Sequence, residues 1–226
     1  GECDYAYHGA NRLGANSLLS ASYSGRVAGE AVASYLKALT SWADQLPEGL
    51  YEAETARQQA VNRRLMRCDG KQGPYDLHRE LGELMTAKVG VVRDNRDLDA
   101  ADEALQDLAA RCERVALGES SIWANQALAY ARQVSDMVQL ARVMARSARC
   151  RDECRGAHHK PEFALPLPEG KGRGDPEYDA YTEHWRNNNA RWLKTTVAEH
   201  GPDGPGIRYE DVDTSILPPE QPRDYR

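Results

Sequence analysis

Apolar residues recur along this chain mostly at gaps of three and four, and that period predicts helices. The clearest stripe is Leu98, Ala101, Leu105, Leu108, Cys112 and Val115, one apolar side of an amphipathic helix. Gly118 is placed to stop it, and Ser120 or Ser121 to cap the next. That next helix is predicted from about Ile122 to Arg149, with Leu128, Ala131, Val134, Val138, Ala141, Ala145 and Ala148 in line. Upstream, Leu50, Ala53, Ala56, Ala60 and Leu65 form a stripe that ends near Cys68-Asp69-Gly70. After Gly73-Pro74, Leu77, Leu81, Leu84, Lys88 and Val92 share one side, with Met85 and Val89 widening it. A further helix is predicted from Ser17 to about Leu39, where Ala21, Gly25, Ala28 and Val32 make a small-residue face suited to packing on a sheet. Trp42 to Glu48, with Pro47, reads as a linker. Short loops between long amphipathic helices imply antiparallel neighbours, hence a bundle.

The pattern changes after Cys154. Phe163 to Asp175 is rich in proline and glycine and reads as a connector. Residues 176–187 suit a short helix ending at Asn187-Asn188-Asn189. Arg191 to Ala198 is a strand candidate, Gly201 to Gly206 a turn, and Ile207 to Val212 alternates as a returning strand. The proline-bearing tail from Ile216 to Arg226 is expected to be extended. The fold class is therefore mainly α with a small α+β C-terminal region.

Composition narrows the function classes. The 226 residues carry a net charge of −6, which argues against a basic nucleic-acid face. Nothing approaches the ~18 apolar residues of a membrane span, and the start lacks the basic-then-apolar order of a signal peptide. Five cysteines at irregular spacings argue for a reducing compartment rather than a disulfide framework.

The chemistry gathers in the first nineteen residues. Gly1, Gly9 and Gly14 punctuate a polar loop that feeds a helix near Leu18. Asn16 or Ser17 is placed to cap that helix. A helix start offers unpaired amides and partial positive charge, suited to an anion or an electron-rich ring edge. Arg12 has a planar charge able to grip a carboxylate with two hydrogen bonds, and Glu2 an acceptor for hydroxyls. The plainer reading is a capped helix after a glycine loop, with Arg12 as a surface charge.

The string Gly1-Glu2-Cys3, followed by His8-Gly9-Ala10-Asn11-Arg12-Leu13-Gly14-Ala15-Asn16-Ser17-Leu18-Leu19, resembles the second flavin-binding segment of succinate dehydrogenase and fumarate reductase flavoprotein subunits. Arg155-Gly156-Ala157-His158 is similar to the segment that follows the last bundle helix in that family, and Pro218-Pro219 and Arg223-Asp224-Tyr225 to its terminal region. The resemblance implies that Glu2 holds the ribityl or ribose part of FAD. It implies that Ser17 and Leu18 meet the isoalloxazine through their backbone, that His8 lies beside the flavin, and that Arg12 binds a carboxylate of succinate or fumarate. It further implies hydride transfer between substrate carbon and flavin N5. Electrons would leave through an iron–sulfur subunit and membrane anchor subunits to quinone, with this protein peripheral on the cytoplasmic side of a bacterial inner membrane.

In the family, the Rossmann-type half, the covalent-FAD histidine and the capping domain with its proton-shuttle arginine come earlier. This chain has no G-x-G-x-x-G after a strand, so it reads as a C-terminal portion, inactive alone. On this view 1–47 ends an FAD-binding domain, 48–154 is the helical bundle, and 155–226 is the C-terminal α+β domain and tail.

The other candidates are weaker. His78 stands alone on a helix, and Arg142, Arg146, Arg149 and Arg151 read as a solvated face or an intersubunit surface. Cys150, Cys154, His158 and His159 lack the two paired spacings of a structural zinc site, so no metal is assigned. Two rivals stay open: L-aspartate oxidase, against which Leu13-Gly14-Ala15 argues, and a non-catalytic helical interaction module.

Overall fold

A computed structural model describes residues 8–202, 204–216, 218, 219 and 222. The chain divides into two compact units, Gly1–Arg67 and Cys68–Arg226. The division falls inside the 48–154 span of the expected bundle.

The first unit holds α1 (Asn16–Ala38) and α2 (Glu48–Met66), with a short 3-10 turn at Ala43–Gln45 between them. The turn is closed locally: Gln45 Oε1 accepts the Trp42 amide at 2.9 Å, and Tyr51 donates its hydroxyl to the Ala43 carbonyl. The expected cap of α1 is not the observed one. Ala15 occupies the N-cap position with φ 66°, no side chain caps the helix, and Asn16 and Ser17 are already helical. The small-residue face of α1 meets no sheet among the described residues. None of α1 is buried, and Val32 stays 53% exposed. The α2 stripe is likewise exposed except for Leu65.

The second unit is built on α3 (Pro74–Lys88), α4 (Asn95–Cys112) and α5 (Gln126–Arg149). Each packs against the other two. The stripes expected for α4 and α5 are buried to the last residue, with Leu98, Ala101, Leu105, Ala145 and Val138 at zero exposure. Pro74 opens α3, where its missing amide costs nothing. Asp94 caps α4, its carboxylate accepting the Asp97 amide at 2.9 Å. Before α3, Gly70 lies so close to the 114–115 backbone that an added Cβ would sit 1.3 Å from the Arg114 carbonyl oxygen.

Three boundaries depart from expectation. The α3 helix ends at Lys88, so Val92 lies beyond it, bridged to His159. The α5 helix begins at Gln126, because Asn125 and not Ser120 or Ser121 is the cap. Asn125 Oδ1 accepts the Leu128 amide at 2.8 Å, while its Nδ2 donates to the Ser121 and Glu119 carbonyls at 2.9 and 3.3 Å. A serine is too short to satisfy three backbone groups at once. Finally α6 (Pro176–Trp192) continues through the asparagine run. Asn188 and Asn189 stay helical because their amides are occupied by Glu153 and Arg155, which removes their usual competition with the helix backbone.

β1 (Lys194–Glu199) and β2 (Gly206–Asp211) form the antiparallel pair, Lys194 opposite Asp211 and Glu199 opposite Gly206. The fold is thus mainly helical, with a two-stranded sheet near its end. No described helix is long and apolar enough to cross a membrane.

Candidate functional site

Two turns carry the chain into α1. The Asn11 amide donates to the His8 carbonyl at 3.3 Å, and the Asn16 amide to the Leu13 carbonyl at 3.4 Å. Gly9 takes φ 56° in the first turn, a conformation that disfavours a Cβ. Arg12 stands between the turns, exposed, and no carboxylate among the described residues pairs with it. Its five donors suit the two-point grip of a carboxylate.

His8 is tied to the helix. Its Nε2 lies 3.1 Å from Ser20 Oγ. Ser20 directs its single hydroxyl proton at the Asn16 and Ser17 carbonyls, at 2.9 and 3.1 Å. The oxygen is therefore the acceptor for His8, which donates from Nε2 and has Nδ1 as its acceptor nitrogen. Ser20 thus brings His8 alongside the first turn that holds Ser17. The sequence reading missed this residue, although its placement one turn beyond Asn16 was the available signal.

Ser17 and Leu18 occupy that first turn, and the Leu18 side chain is 80% exposed. With no side-chain cap, the amides at this helix start and their partial positive charge are open to an acceptor. Glu2 lies outside the described residues. The structure therefore brings His8, Ser17 and Leu18 together at one helix start, with Arg12 on the loop leading into it. Such an arrangement can hold an anionic or electron-rich group and grip a carboxylate.

A second polar cluster, in the Cys68–Arg226 unit, follows α5. Glu153 has no exposure and accepts from Arg151 at 2.6 Å, from Arg155 at 3.0 Å and from Asn188 at 3.0 Å. Arg151, expected on a solvated face, is largely buried and donates onward to the Lys194 carbonyl and Thr196 hydroxyl at 2.9 and 2.8 Å. A desolvated carboxylate requires such partners, and they reach α6 and β1. Lys160, equally buried, donates to Asn95, Asp152 and the Arg149 carbonyl. This cluster was not foreseen; the Arg-x-Glu-x-Arg spacing of 151–155 was its only trace.

The histidines divide. His158 Nε2 donates to the Arg151 carbonyl at 2.8 Å, and its Nδ1 accepts from Arg93 at 2.9 Å. Burial is the main reason its pKa falls below the ordinary value. His159 Nδ1 lies 3.4 Å from Cys154 Sγ, and burial pushes that thiol up, away from a reactive thiolate. Among the described residues no three His, Cys, Asp or Glu side chains are grouped to hold a metal. A cleft of about 860 Å³ is walled by Phe163, Tyr181 and Trp185. Of its polar lining, Arg155, Asn188 and Asn189 are already engaged with Glu153 or one another.

The family model for the fumarate reductase flavoprotein C-term matches residues 78–225. The chain is 41% identical, over its whole length, to the succinate dehydrogenase flavoprotein subunit of Bacillus subtilis (strain 168), of which it covers 35%. It is 31% identical over 97% of its length to the fumarate reductase flavoprotein subunit of Escherichia coli (strain K12), covering 33% of that protein. Among solved structures, a quinol-fumarate reductase with menaquinol molecules superposes with a TM-score of 0.75 at 30% identity, over 97% of this chain and 34% of that one. The chain spans about a third of the length of the curated relatives it matches.

Proposed function

Since the chain belongs to the fumarate reductase flavoprotein C-terminal family, we propose that it is the C-terminal part of a succinate dehydrogenase flavoprotein subunit. The complete subunit would oxidise succinate to fumarate with FAD. An iron–sulfur subunit and membrane anchor would carry the electrons to quinone from a peripheral position on the cytoplasmic face.

The observation that carries this reading is Arg12, exposed and paired with no carboxylate among the described residues, on the double turn leading into the uncapped start of α1. An uncapped helix start fits the electron-rich edge of a flavin ring, because its amides supply hydrogen bonds and its dipole favours negative charge. FAD held there would supply two-electron acceptance, taking a hydride from the substrate carbon. Ser17 and Leu18 would hold the ring edge through their amides. Arg12 would clamp and neutralise a substrate carboxylate, fixed in place before the reaction starts. His8, oriented by Ser20, would offer an acceptor beside the ring. The ribose contact is proposed for Glu2. The whole-chain similarity to the Bacillus succinate dehydrogenase supports the oxidative direction. A second reading, fumarate reduction, is supported by the fumarate reductases among the relatives and solved structures.

The test is a visible spectrum of the purified complete protein. We expect a flavin band that succinate bleaches and fumarate restores. A colourless protein, or a flavin band indifferent to both, overturns the reading. Rates in the two directions, measured with matched donor and acceptor dyes, decide between the oxidase and reductase forms.

A further inference from the structure

The arginine run at the end of α5 divides once the chain is folded. Arg149 pairs with Asp99 at 2.7 Å, and Arg151 is largely buried against Glu153. Arg142 and Arg146 are left over. Both are half-buried, and no carboxylate among the described residues pairs with either. Arg142 Nε is buried and has no hydrogen-bond partner among the described residues. The two positions are one turn apart on the helix, where like charges repel each other. A partly desolvated pair of cations without a counter-charge is costly, and the cost falls when an anion joins it.

The fold aims both side chains at one spot. In the turn between β1 and β2, Gly204 takes φ 116°, a conformation that favours glycine. A Cβ built there would lie 2.7 Å from Arg142 Nη2 and 3.1 Å from Arg146 Nη1. Both guanidinium groups therefore reach the same point, and glycine keeps that point open. The carboxylates of the flanking strands are committed elsewhere. Glu199 and Glu210 both bind Arg208, and Asp211 binds Lys194. The turn's remaining acid, Asp203, lies outside the described residues.

We propose that Arg142, Arg146 and the Gly204 turn form a binding site for a phosphate-type oxyanion, a phosphoryl group carrying two negative charges. The donors select that class. Each guanidinium presents a planar fork of N–H groups. A carboxylate has two oxygens, and a single fork takes both. A phosphoryl group offers three strong acceptor oxygens, enough for two forks converging from successive turns of one helix. Its charge also matches the two cations. All of these residues lie within the Cys68–Arg226 unit, so the proposal does not depend on the reading of α1 given under Proposed function.

The test is calorimetric titration of the complete subunit with inorganic phosphate and, separately, with adenosine monophosphate. Ionic strength is held constant with chloride, since salt screens such contacts. We expect Arg142→Gln and Arg146→Gln each to weaken binding about tenfold or more, as the loss of one charge-assisted grip implies. Arg142→Lys keeps the charge but not the fork, so it should recover only part of the affinity. Phosphate binding as tightly as the nucleotide identifies a site for the free anion. Tighter nucleotide binding, still weakened in both glutamine variants, identifies a phosphoryl group carried on a larger molecule. Hydrogen exchange on the same samples should show phosphate protecting residues 199–206 in the parent and not in the doubly substituted protein. Unchanged exchange along α4 shows that the variants are folded. If neither ligand binds, or if both glutamine variants bind as the parent does, the proposal is overturned. Binding that appears only in Asp203→Asn overturns it too, because the turn's own carboxylate would then be the occupant.

Discussion

At the scale of single residues, chemistry and packing make different demands. Arg12 is exposed and has no carboxylate partner among the described residues, so replacing it costs little stability. In the complete subunit Arg12→Lys should retain flavin and lose succinate oxidation about 10²-fold or more, since an ammonium cannot reproduce a two-point grip on a carboxylate. Steady-state rates together with the flavin absorbance check this, and undiminished turnover would remove Arg12 from the site. Gly70 is the opposite case. A Cβ there meets the Arg114 carbonyl oxygen at 1.3 Å, a backbone atom that cannot swing aside. Gly70→Ala should therefore destabilise the complete subunit by about 1–3 kcal/mol or more, with flavin chemistry unchanged where the protein stays folded. Denaturant unfolding measures it. His158 sets a pH dependence. Its folded pKa lies below the ordinary value, mainly through burial, so between those two pKa values the unfolded chain binds the proton that the folded one refuses. Its contribution to stability is complete above about pH 6.5 and is lost as pH falls toward the folded value. His158→Gln should flatten the slope of stability between about pH 5 and 7, and an unchanged slope would show that another group sets it.

At the scale of elements, the sequence was most legible where one periodic stripe met one surface. All thirteen apolar positions assigned to the α4 and α5 stripes are buried, because a period of three and four can be satisfied only on one side of a helix. The hairpin was readable from its turn residues, but its first strand begins at Lys194 and not Arg191, because α6 runs on through Trp192. The N-terminal loop and helix start were recognised too, but not the cap, because Ala15 terminates the turn by backbone conformation and leaves no side-chain signature. The α5 start was misplaced for a related reason: one asparagine serves three backbone groups, and only the folded loop shows which residue reaches them all. Asn125→Ala should then cost about 2 kcal/mol, more than an exposed cap, since it also strands two carbonyls. Asn125→Asp should recover the part owed to the cap but not the part owed to the carbonyls, because a carboxylate cannot donate to them. Thermal unfolding of the two variants beside the parent separates the contributions.

At the scale of the whole Cys68–Arg226 unit, the question is what makes a bundle, a helix and a hairpin unfold as one body. The apolar core lies in α3, α4 and α5, whereas the hairpin meets the bundle chiefly through β1 against α5 and through the Tyr209 hydroxyl, which donates to the Cys150 carbonyl. The polar cluster fills this gap. Glu153, just beyond α5, is bound by Arg151, Arg155 and Asn188. Arg151 in turn binds Lys194 and Thr196 of β1, and Arg155 binds Asn189 of α6. One buried carboxylate therefore orients both arginines that hold the later elements. Contrast Glu54 on α2, whose pKa is lowered to about 2 by the Arg57 hydrogen bond. That pair is exposed to solvent, which screens it, so the large shift says little about stability. Removing the buried charge is different, because two guanidinium groups lose a desolvated partner. Glu153→Gln in the complete subunit should cost about 3–5 kcal/mol, and the loss should be uneven. Amides of Lys194–Glu199 and Gly206–Asp211 should exchange with solvent much faster, while those buried along α4 and α5 change less, because the core of those helices does not involve Glu153. Glu54→Gln should change neither. Hydrogen exchange resolved by peptide decides the matter. Selective exposure of the hairpin makes the cluster a coupling device. A uniform loss across α4, α5 and the hairpin would mean that core packing alone makes the unit cooperative.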